Sequence, residues 1–591
     1  MNSLRPLFPY ISRHRWALIW GVIFVLITNA LTVWVPVLVG MTVNLAERRQ
    51  IDEELLRALA VDVVLLALLA GCFRFLMRRV LIDASRDIEY EFRNDLFAHL
   101  QRQDATFFDG HNTGDIMSRT TNDMDAVRMA IGPGVMYVAN TFSSLPMALV
   151  GMALLDWQLT IVAMIPMFLL PPLVKYFSAK THLYSRQQQD VFGDLTTMVQ
   201  ENLAGMRVVK AYRQEDAQEV LFTVQNDRYI AKSMELAEVQ ASFFPAIRVL
   251  VGSGFVLLVG FGGYRIMSGE LQAGTLLTFF VLFSMLVWPL IAIGWSWNLL
   301  QRGRASLDRL NEILDRKSRV ADGAAKELPT GPLEVEFRNL TFQYDETPSP
   351  QLSDISLKVP AGRTLGIVGP VGSGKSTLVN LLGRYYPVPP GTIFLGGLDV
   401  NDWPLEKLRA AVSTVFQETF LFSDTIGWNI RFGSGENVPQ SAVDESARQA
   451  ALWETIEGFP KRFDTVLGER GVNLSGGQKQ RTAIARALLK EAAVLILDDS
   501  LSAVDTHTEE QILSGLKSAR RGRTTLLVSH RISTIAMADE IIVLEGGRIT
   551  QRGRHADLIE QPGLYAELHR KQLSEADVEA VGAELAGEVV R

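Results

Sequence analysis

The sequence contains almost no cysteine: Cys72 is the only one in 591 residues. A single cysteine excludes a disulfide within the chain, and it suggests no cysteine-based metal site. Cys72 itself lies in an apolar run. The fold must therefore depend on packing and hydrogen bonding, and the chemistry on other side chains.

The sequence also lacks an excess of positive charge, since its formal net charge is −7. Nucleic-acid-binding domains usually carry a strongly basic balance, so we expect no nucleic-acid partner. A cleavable secretion signal is missing as well. The first apolar run, from Trp16, is too long for a signal and is not followed by a small-residue cleavage site.

Charge is scarce in several long segments of the first 300 residues. A helix needs about 20 apolar residues to cross a hydrocarbon core of roughly 30 Å. We predict six transmembrane helices, of which the first, third and sixth carry no charge and the others are weaker. For each weaker segment the alternative is a buried core helix. The segments are Trp16–Gly40, Ala58–Met77, Ile131–Leu155, Leu159–Val174, Ala241–Met267 and Leu271–Leu300.

The arginines predict the orientation of these spans. An even number of spans places both termini on one side of the membrane, and cytoplasmic loops usually carry the excess of Lys and Arg. We therefore expect a multi-pass protein of the cytoplasmic (inner) membrane, with both termini in the cytoplasm. The arginines on that side are Arg5, Arg13, Arg15, Arg78, Arg79, Arg86, Arg93, Arg102, Arg119 and Arg128.

Two long segments between the spans, Val80–Ala130 and Lys175–Gln240, have apolar residues at helical spacing. Helices of about 25 residues project roughly 37 Å from the membrane. They could therefore reach a cytoplasmic domain, and we expect the contacts at Asn112–Asp115 and Gly205–Arg207. The alternative is that both segments are solvated surface loops.

The second half of the chain reads as a soluble α/β domain. We predict an α-helical membrane domain over residues 1–314 and a linker, rich in charge, Ala, Gly and Pro, over 315–332. The α/β domain then covers 333–572, and an acidic tail covers 573–591.

A glycine-rich loop follows the apolar, strand-like run Thr364–Val368 and matches the pattern G-x-x-x-x-G-K-[ST]. Backbone N–H groups of such a loop face a phosphate chain, and the helix that follows adds its positive end. The α/β domain is thus predicted to be a P-loop nucleotide-binding domain. The loop residues predicted to bind a nucleoside triphosphate are Gly369, Gly372, Ser373, Gly374, Lys375, Ser376 and Thr377.

Polar residues at the ends of other strand-like runs extend this site. Asp498 ends Val494–Leu497 and is predicted to hold Mg²⁺ together with Ser376. Gln417 follows Val412–Phe416 and could contact Mg²⁺ or water. His530 comes shortly after a further run, Thr524–Val528, and could hydrogen-bond a γ-phosphate.

Two further motifs accompany these residues, one before the phosphate loop and one between that loop and Asp498. Tyr344 could stack on adenine, although Tyr344 or His530 alone would more often be structural. Leu474–Gln478 has the sequence LSGGQ, whose N–H groups at a helix start could bind a second phosphate face. The residues concerned are Ser475, Gly476, Gly477 and Gln478.

With these motifs, nearly the whole sequence resembles the ATP-binding cassette (ABC) exporters that carry six spans ahead of one nucleotide domain. Further segments resemble the first coupling loop, the cross-linking loop and the D-loop of that family. The resemblance implies that two chains pair head to tail, with each ATP between the Lys375 loop of one and the signature of the other. It also implies adenine-binding, Q-loop and switch roles for Tyr344, Gln417 and His530. The further segments are Phe107–Asp109, Thr113–Asp115, Ser118–Arg119, Glu469–Gly471 and Ser502–Asp505.

One position departs from the family pattern. The residue after Asp498 is usually Glu, which polarises the attacking water, but here it is Asp499. Aspartate is one methylene shorter, and a displacement of about 1 Å can cost on the order of 100-fold in rate. The alternative is that Asp499 is a competent base with adjusted geometry. An intact signature beside a weakened site is typical of one half of a heterodimer, and the Asp-Asp pair resembles the Mdl-type multidrug-resistance-like exporters.

We therefore predict ATP-driven export by alternating access. Aromatic and methionine side chains on the last two spans favour amphiphilic or lipid-like cargo, although most such residues simply pack. Alternatives are a homodimeric lipid or peptide exporter and an ATP-gated channel. A mechanical ATPase acting on DNA or ribosomes is disfavoured by the charge-free spans. The side chains are Phe255, Phe280, Met285, Trp288 and Trp295.

Overall fold

The computed structural model describes residues 2–574 except 346, 436, 472, 505, 520 and 521. The chain divides into two compact units. The membrane unit comprises the residues up to Gln101 together with Asn112–Arg316. The nucleotide unit comprises Arg102–His111 and the chain from Lys317 onward.

The membrane unit consists of helices. Among the described residues, six helical stretches are long and apolar enough to span a membrane, so the prediction of six spans is confirmed. Five of them contain a predicted span completely, and the sixth begins at Ala273, two residues after the predicted start at Leu271. A 3₁₀ turn at Asn2–Leu7 precedes them, and π-turns at Arg119–Asp123 and Ala130–Gly134 join short helices into the third stretch, Thr113–Leu155. The α-helices, with α4 included for chain order, are α1 (Phe8–Arg13), α2 (Arg15–Glu47), α3 (Glu53–Gln101), α4 (Ala105–Asp109), α5 (Thr113–Ser118), α6 (Met124–Met129), α7 (Val135–Leu155), α8 (Trp157–Met167), α9 (Leu170–Ala204), α10 (Met206–Ala211), α11 (Glu215–Met267) and α12 (Ala273–Leu314).

The turn between α7 and α8 is a single residue, Asp156. Its carboxylate accepts a hydrogen bond from the backbone N–H of Leu159 at 2.8 Å and caps α8. The same carboxylate accepts from the Arg265 guanidinium near the end of α11. The tight turn at this place is therefore stabilised by a cap and an ion pair.

Helices α2 and α12 approach each other closely at Gly40 and Gly274. A Cβ atom added to Gly40 would lie 2.4 Å from the Gly274 carbonyl oxygen, and one added to Gly274 would lie 2.0 Å from the Gly40 carbonyl oxygen. Small residues let membrane helices pack backbone to backbone. Thr278 adds a hydrogen bond to the Pro36 carbonyl at 3.1 Å.

The nucleotide unit contains two sheets. A four-stranded antiparallel sheet has the order β2-β1-β4-β5, and a six-stranded sheet has the order β10-β9-β3-β8-β7-β6. In the second sheet all neighbours are parallel except β9 and β10. The strands are β1 (Val335–Phe342), β2 (Leu352–Val359), β3 (Thr364–Val368), β4 (Ile393–Leu395), β5 (Leu398–Asp399), β6 (Val412–Val415), β7 (Val494–Asp498), β8 (Thr524–Val528), β9 (Glu540–Glu545) and β10 (Arg548–Gly553).

Every residue of β3, β7 and β8 is buried, as expected for parallel strands covered on both faces. The strand predictions at Thr364–Val368 and Thr524–Val528 agree with the structure residue for residue. Short 3₁₀ turns lie at Arg462–Asp464 and Glu469–Gly471. The helices are α13 (Lys375–Leu382), α14 (Leu405–Ala411), α15 (Ile426–Arg431), α16 (Gln440–Gln449), α17 (Trp453–Glu457), α18 (Gly476–Leu489), α19 (Thr506–Ala519), α20 (Ile532–Ile535) and α21 (His555–Glu560), and residues 564–574 are also helical.

The short helix α4 belongs to the nucleotide unit although it comes from the first long segment between the spans. The Ala105 N–H donates to the Tyr385 carbonyl at 3.0 Å, and the Asp104 carboxylate accepts from the Arg319 N–H at 2.7 Å. The packed part of this segment is therefore Arg102–His111. The predicted contact segments Asn112–Asp115 and Gly205–Arg207 both belong to the membrane unit, and their contacts stay predictions.

Candidate functional site

The phosphate loop connects β3 to α13, so it leaves the carboxyl edge of the parallel sheet. Gly372 and Gly374 have φ angles of +82° and +98°, a conformation that only glycine adopts readily. A Cβ atom added to Gly369 would lie 2.1 Å from the Leu544 carbonyl oxygen. Local geometry thus requires glycine at each of these three positions.

Lys375 is buried at the start of α13. Its Nζ donates to the carbonyl oxygens of Gly369 at 2.9 Å and Pro370 at 2.7 Å. Burial lowers the pKa of the ammonium, although Asp499 and Asp498 nearby oppose that shift. The cation is therefore held inside the curl of the loop, and a few bond rotations would bring it to a phosphate oxygen.

Ser376 and Asp498 form the predicted metal-ligand pair. The Ser376 hydroxyl donates to an Asp498 carboxylate oxygen at 3.1 Å. Burial raises the pKa of Asp498, while the Ser376 hydrogen bond opposes that rise. A hydroxyl and a carboxylate at this separation are both oxygen ligands of the kind Mg²⁺ prefers.

A cavity of about 170 Å³ lies against this pair. The structure brings most of the predicted residues together there and adds Gln351, whose side-chain amide donates to the Gly372 carbonyl at 2.8 Å. Gln351 precedes β2, and no motif signals it in the sequence. The lining residues are Gln351, Val371, Gly372, Gly374, Lys375, Ser376, Thr377, Gln417, Asp498, Asp499, Val528 and His530.

Asp499 has a left-handed backbone, with φ of +46°. Aspartate tolerates this region better than most residues do. Its N–H donates to the Val528 carbonyl at 2.9 Å, and its carboxylate lies 4.0 Å from Nε2 of His530. The carboxylate and the imidazole thus face the same cavity from the ends of two adjacent strands, β7 and β8.

Tyr344 does not line this cavity, but it contacts the loop helix. Its hydroxyl shares a hydrogen bond of 3.1 Å with the Thr377 hydroxyl. Its ring packs edge-to-face on Phe342 and on Tyr386, with centroids 5.0 and 5.1 Å away. Tyr386, which the sequence analysis missed, donates to the Asp109 carboxylate of α4 at 2.9 Å.

The signature lies elsewhere on the nucleotide unit. Ser475 caps α18: its hydroxyl accepts from the Gln478 N–H at 3.3 Å, and the Gln478 side chain accepts from the Ser475 N–H at 2.9 Å. Ser475 and Gly476 are exposed, and no described signature residue lines the phosphate cavity. A single chain therefore does not bring its two phosphate-binding motifs together.

Gln480 links the signature helix to the predicted D-loop. Its buried amide donates to the Ser502 hydroxyl and accepts from the Ala503 N–H, both at 3.0 Å. A Cβ atom on Gly477 would lie 2.9 Å from the Ala503 carbonyl oxygen, so a side chain there would disturb this packing. Sequence analysis missed Gln480 because it lies outside the signature pattern. Asp505, the last residue of the predicted D-loop, lies outside the described residues.

The membrane unit holds a cavity of about 610 Å³. Of the side chains predicted to mark the cargo path, Trp295 lines this cavity, whereas Phe255 packs against Phe280, with ring centroids 5.7 Å apart. The lining combines aromatic and basic side chains and includes no carboxylate. Its aromatic and basic members are Phe177, Phe243, Phe244, Trp295, His182 and Arg302.

Comparisons with known proteins agree with this two-part organisation. Residues 18–290 match the family described as ABC transporter transmembrane region, and residues 352–502 match the family described as ABC transporter. The chain is 36% identical over 567 residues to the multidrug resistance-like ATP-binding protein MdlA of Escherichia coli K12, covering 95% of this chain and 96% of that protein. It is 35% identical over 535 residues to an ATP-dependent lipid A-core flippase of Syntrophus aciditrophicus, covering 90% and 88%.

Among solved structures, a bacterial Atm1-family ABC exporter with ATP bound superposes with a TM-score of 0.76 at 27% identity, covering 94% of this chain and 99% of that one. Membrane helices and nucleotide unit are therefore both matched over nearly their full length. The chain is a multi-pass membrane protein that binds ATP, and proteins of this organisation work as dimers. It belongs to the ATP-binding cassette exporters, whose nucleotide domain hydrolyses ATP to drive transport.

Proposed function

We propose that this chain is one half of a heterodimeric exporter whose ATP molecules each lie between the Lys375 loop of one chain and the signature of the other. The exposed signature supports this arrangement. Ser475 and Gly476 present a capped helix start to solvent, away from the chain's own phosphate cavity. A helix start of this kind binds anions through its free N–H groups, so a partner's nucleotide can use it.

The heterodimer rests on one observation, the aspartate at position 499 beside an intact signature. In the predicted mechanism Asp499 orients the attacking water and His530 contacts the γ-phosphate. Gln417, exposed at the cavity wall, would contact water or metal. The shorter Asp499 carboxylate makes ATP hydrolysis slow at the chain's own site. The signature that the chain contributes to the partner's site is complete.

Mg²⁺ would be held by Ser376 and Asp498, whose oxygens are 3.1 Å apart. Bound there, the ion would neutralise charge that develops on the transferred phosphate. The buried Asp498 has a pKa raised by desolvation, and a cation beside it would favour its charged form. The residues present therefore fit the metal.

ATP can drive export only by binding the closed arrangement of nucleotide domains better than the open one. We propose that closure switches the spans from inward-facing to outward-facing, and that hydrolysis resets them. The nucleotide unit and both termini would lie in the cytoplasm, on the arginine-rich side of the inner membrane.

The cargo we propose is an amphiphilic small molecule or a lipid. The cavity of about 610 Å³ in the membrane unit supports this, because Phe177 and Phe243 offer apolar rings 5.5 Å apart while Arg302 offers a cation. The relatives named for multidrug resistance and for lipid A-core flipping favour the same two classes of cargo.

A pull-down tests the heterodimer. The tagged chain is recovered from its native membrane in mild detergent, and co-purifying proteins are identified by mass spectrometry. We expect a second half-transporter in roughly equal amount, with Glu after its strand-ending aspartate. Recovery of this chain alone as a dimer would replace the heterodimer with a homodimer.

Vectorial transport tests the export activity itself. Inside-out vesicles containing the complex should take up a fluorescent amphiphile only when hydrolysable ATP is present. Ion current through the same preparation, without uptake, would instead indicate an ATP-gated channel.

A further inference from the structure

The loop that carries His530 is held by a residue far along the chain, Gln572. The Gln572 side-chain amide donates to the His530 carbonyl at 2.6 Å, and its oxygen accepts from the Ile532 N–H at 2.8 Å. One side chain thus binds both backbone groups that flank Arg531, much as a neighbouring strand would. The backbone that directly follows the imidazole is thereby held in place.

The helix that supplies Gln572 packs firmly on the nucleotide unit. Residues 564–574 are helical, and Tyr565 near the start of that helix is fully buried in the core of the unit. The Tyr565 hydroxyl hydrogen-bonds Nδ1 of His555 at 2.7 Å, and its N–H donates to the Gln551 side chain at 3.0 Å. Gln572 lies two turns further along, where the helix reaches the His530 loop.

The other side of the same loop is held by α19. The Arg531 guanidinium bonds the buried Glu509 carboxylate and the Val504 carbonyl. The His530 imidazole itself is 40% exposed and faces the phosphate cavity. With the neighbouring backbone held from two directions, the direction of the imidazole depends on the contacts that Gln572 makes.

We propose that Gln572 is a positioning residue for ATP hydrolysis, which acts by orienting His530 toward the γ-phosphate. The proposal rests on the switch role proposed above for His530. Gln572 faces the backbone side of the loop, so its contribution is geometric: it sets where the imidazole lies when the phosphate arrives. A displacement of about 1 Å in a reacting group can cost on the order of 100-fold in rate.

Steady-state ATP turnover at this chain's own site tests the proposal. It is measured in the purified complex of the full chain and its partner, after the partner's own ATP site has been inactivated by mutation. We expect Gln572→Ala to lower kcat about tenfold and to leave the KM for ATP within about twofold, because nucleotide affinity depends mainly on the Lys375 loop. Gln572→Glu has the same size but cannot donate to the His530 carbonyl, and should lower kcat to a similar extent. Leu573→Ala, an exposed neighbour on the same helix, is the matched control.

A double-mutant cycle separates positioning from general stabilisation. If Gln572 acts through the imidazole, Gln572→Ala should add nothing once His530→Ala is present. If the double variant loses kcat by the product of the two single losses, the proposal is overturned. A normal kcat for Gln572→Ala beside a reduced kcat for His530→Ala would overturn it as well. If His530→Ala itself turns over normally, the switch role fails and the inference fails with it.

Truncation gives a second, independent readout. A chain ending after Ser574 keeps Gln572 and should behave as the full chain does. A chain ending after Lys571 loses it and should reproduce the kcat of Gln572→Ala. Equal activity of the two truncated chains would contradict the proposal.

Discussion

The phosphate loop and the signature are both predicted to bind phosphate through backbone N–H groups, yet their surroundings in the structure differ. The loop faces a cavity that also contains Asp498, Asp499 and His530. The signature forms a well-capped helix start that faces solvent, outside that cavity. The phosphate cavity is therefore lined by the loop and by residues that follow strands, and by no described signature residue.

The difference has a physical consequence. In the proposed dimer, a substitution near the loop affects this chain's own site, whereas a substitution in the signature affects nucleotide held by the partner. The four variants below are ordered by the size of the effect that we expect.

Lys375→Ala should have the largest effect. It removes a buried cation from the loop, so ATP affinity at this chain's own site should fall by at least about 100-fold, since charge-assisted contacts to phosphate are strong. Equilibrium binding of a fluorescent ATP analogue measures this affinity. Lys358→Ala is the matched control, because it removes an exposed lysine of β2 that does not line the phosphate cavity. Normal affinity in Lys375→Ala would remove the loop from the proposed site.

Ser475→Asp tests whether the signature contacts nucleotide held by a partner. Aspartate can replace the serine cap of α18, so thermal stability should hold, but its charge would repel a partner's γ-phosphate. ATP turnover of the complex should fall by tenfold or more, while nucleotide affinity at the Lys375 loop stays normal. Ser475→Ala, which loses a cap worth about 1 kcal/mol, separates stability from turnover. Wild-type turnover in Ser475→Asp would contradict a shared site.

Asp499→Glu should raise turnover. Lengthening the carboxylate restores its reach toward the water, and a gain of about tenfold at this chain's own site is expected if geometry is limiting. The left-handed backbone at φ +46° should make the variant less stable by about 1 kcal/mol, which a melting curve can detect. Asp499→Asn serves as the uncharged control, and an unchanged rate in Asp499→Glu would mean that Asp499 is already a competent base.

Tyr344→Phe should have the smallest effect. It keeps the ring that packs on Phe342 and Tyr386 and removes only the hydrogen bond to Thr377. One such bond contributes about 1 kcal/mol, or roughly a fivefold change in ATP affinity at most. Tyr344→Ala, which removes the stacking face, should weaken binding further; equal affinities for the two variants would place adenine elsewhere.

Sequence patterns were sufficient where a single local requirement determines the structure. The uncharged runs predicted the spans because a bilayer core accepts little else. The loop from Gly369 to Thr377 was predictable because its glycines and lysine meet a geometric need within nine residues. The strands ending at Val368 and Val528 were predictable as short apolar runs, since parallel strands are buried on both faces.

Contacts between distant residues were not predictable in this way. Nothing in the sequence around Gln351, Gln480 or Gln572 marks them as partners of the phosphate loop, the D-loop or the His530 loop. Glutamine side chains are also common on solvated surfaces, and only the fold determines which backbone groups their amides contact. The contacts of Asp104 and Ala105 were not predictable for the same reason, because their partners lie more than 200 residues away in the chain.

The sequence by itself determined the chemistry of this protein: membrane-spanning helices, a phosphate loop, a signature and an aspartate where the family usually has glutamate. These follow from hydropathy and from short motifs, which are properties of neighbouring residues. Only the tertiary structure decided that Asp499 and His530 face one cavity, that the signature lies outside it, and that Gln572 bonds the His530 loop. The reason is that strand order and helix packing, not spacing along the chain, decide which distant side chains meet.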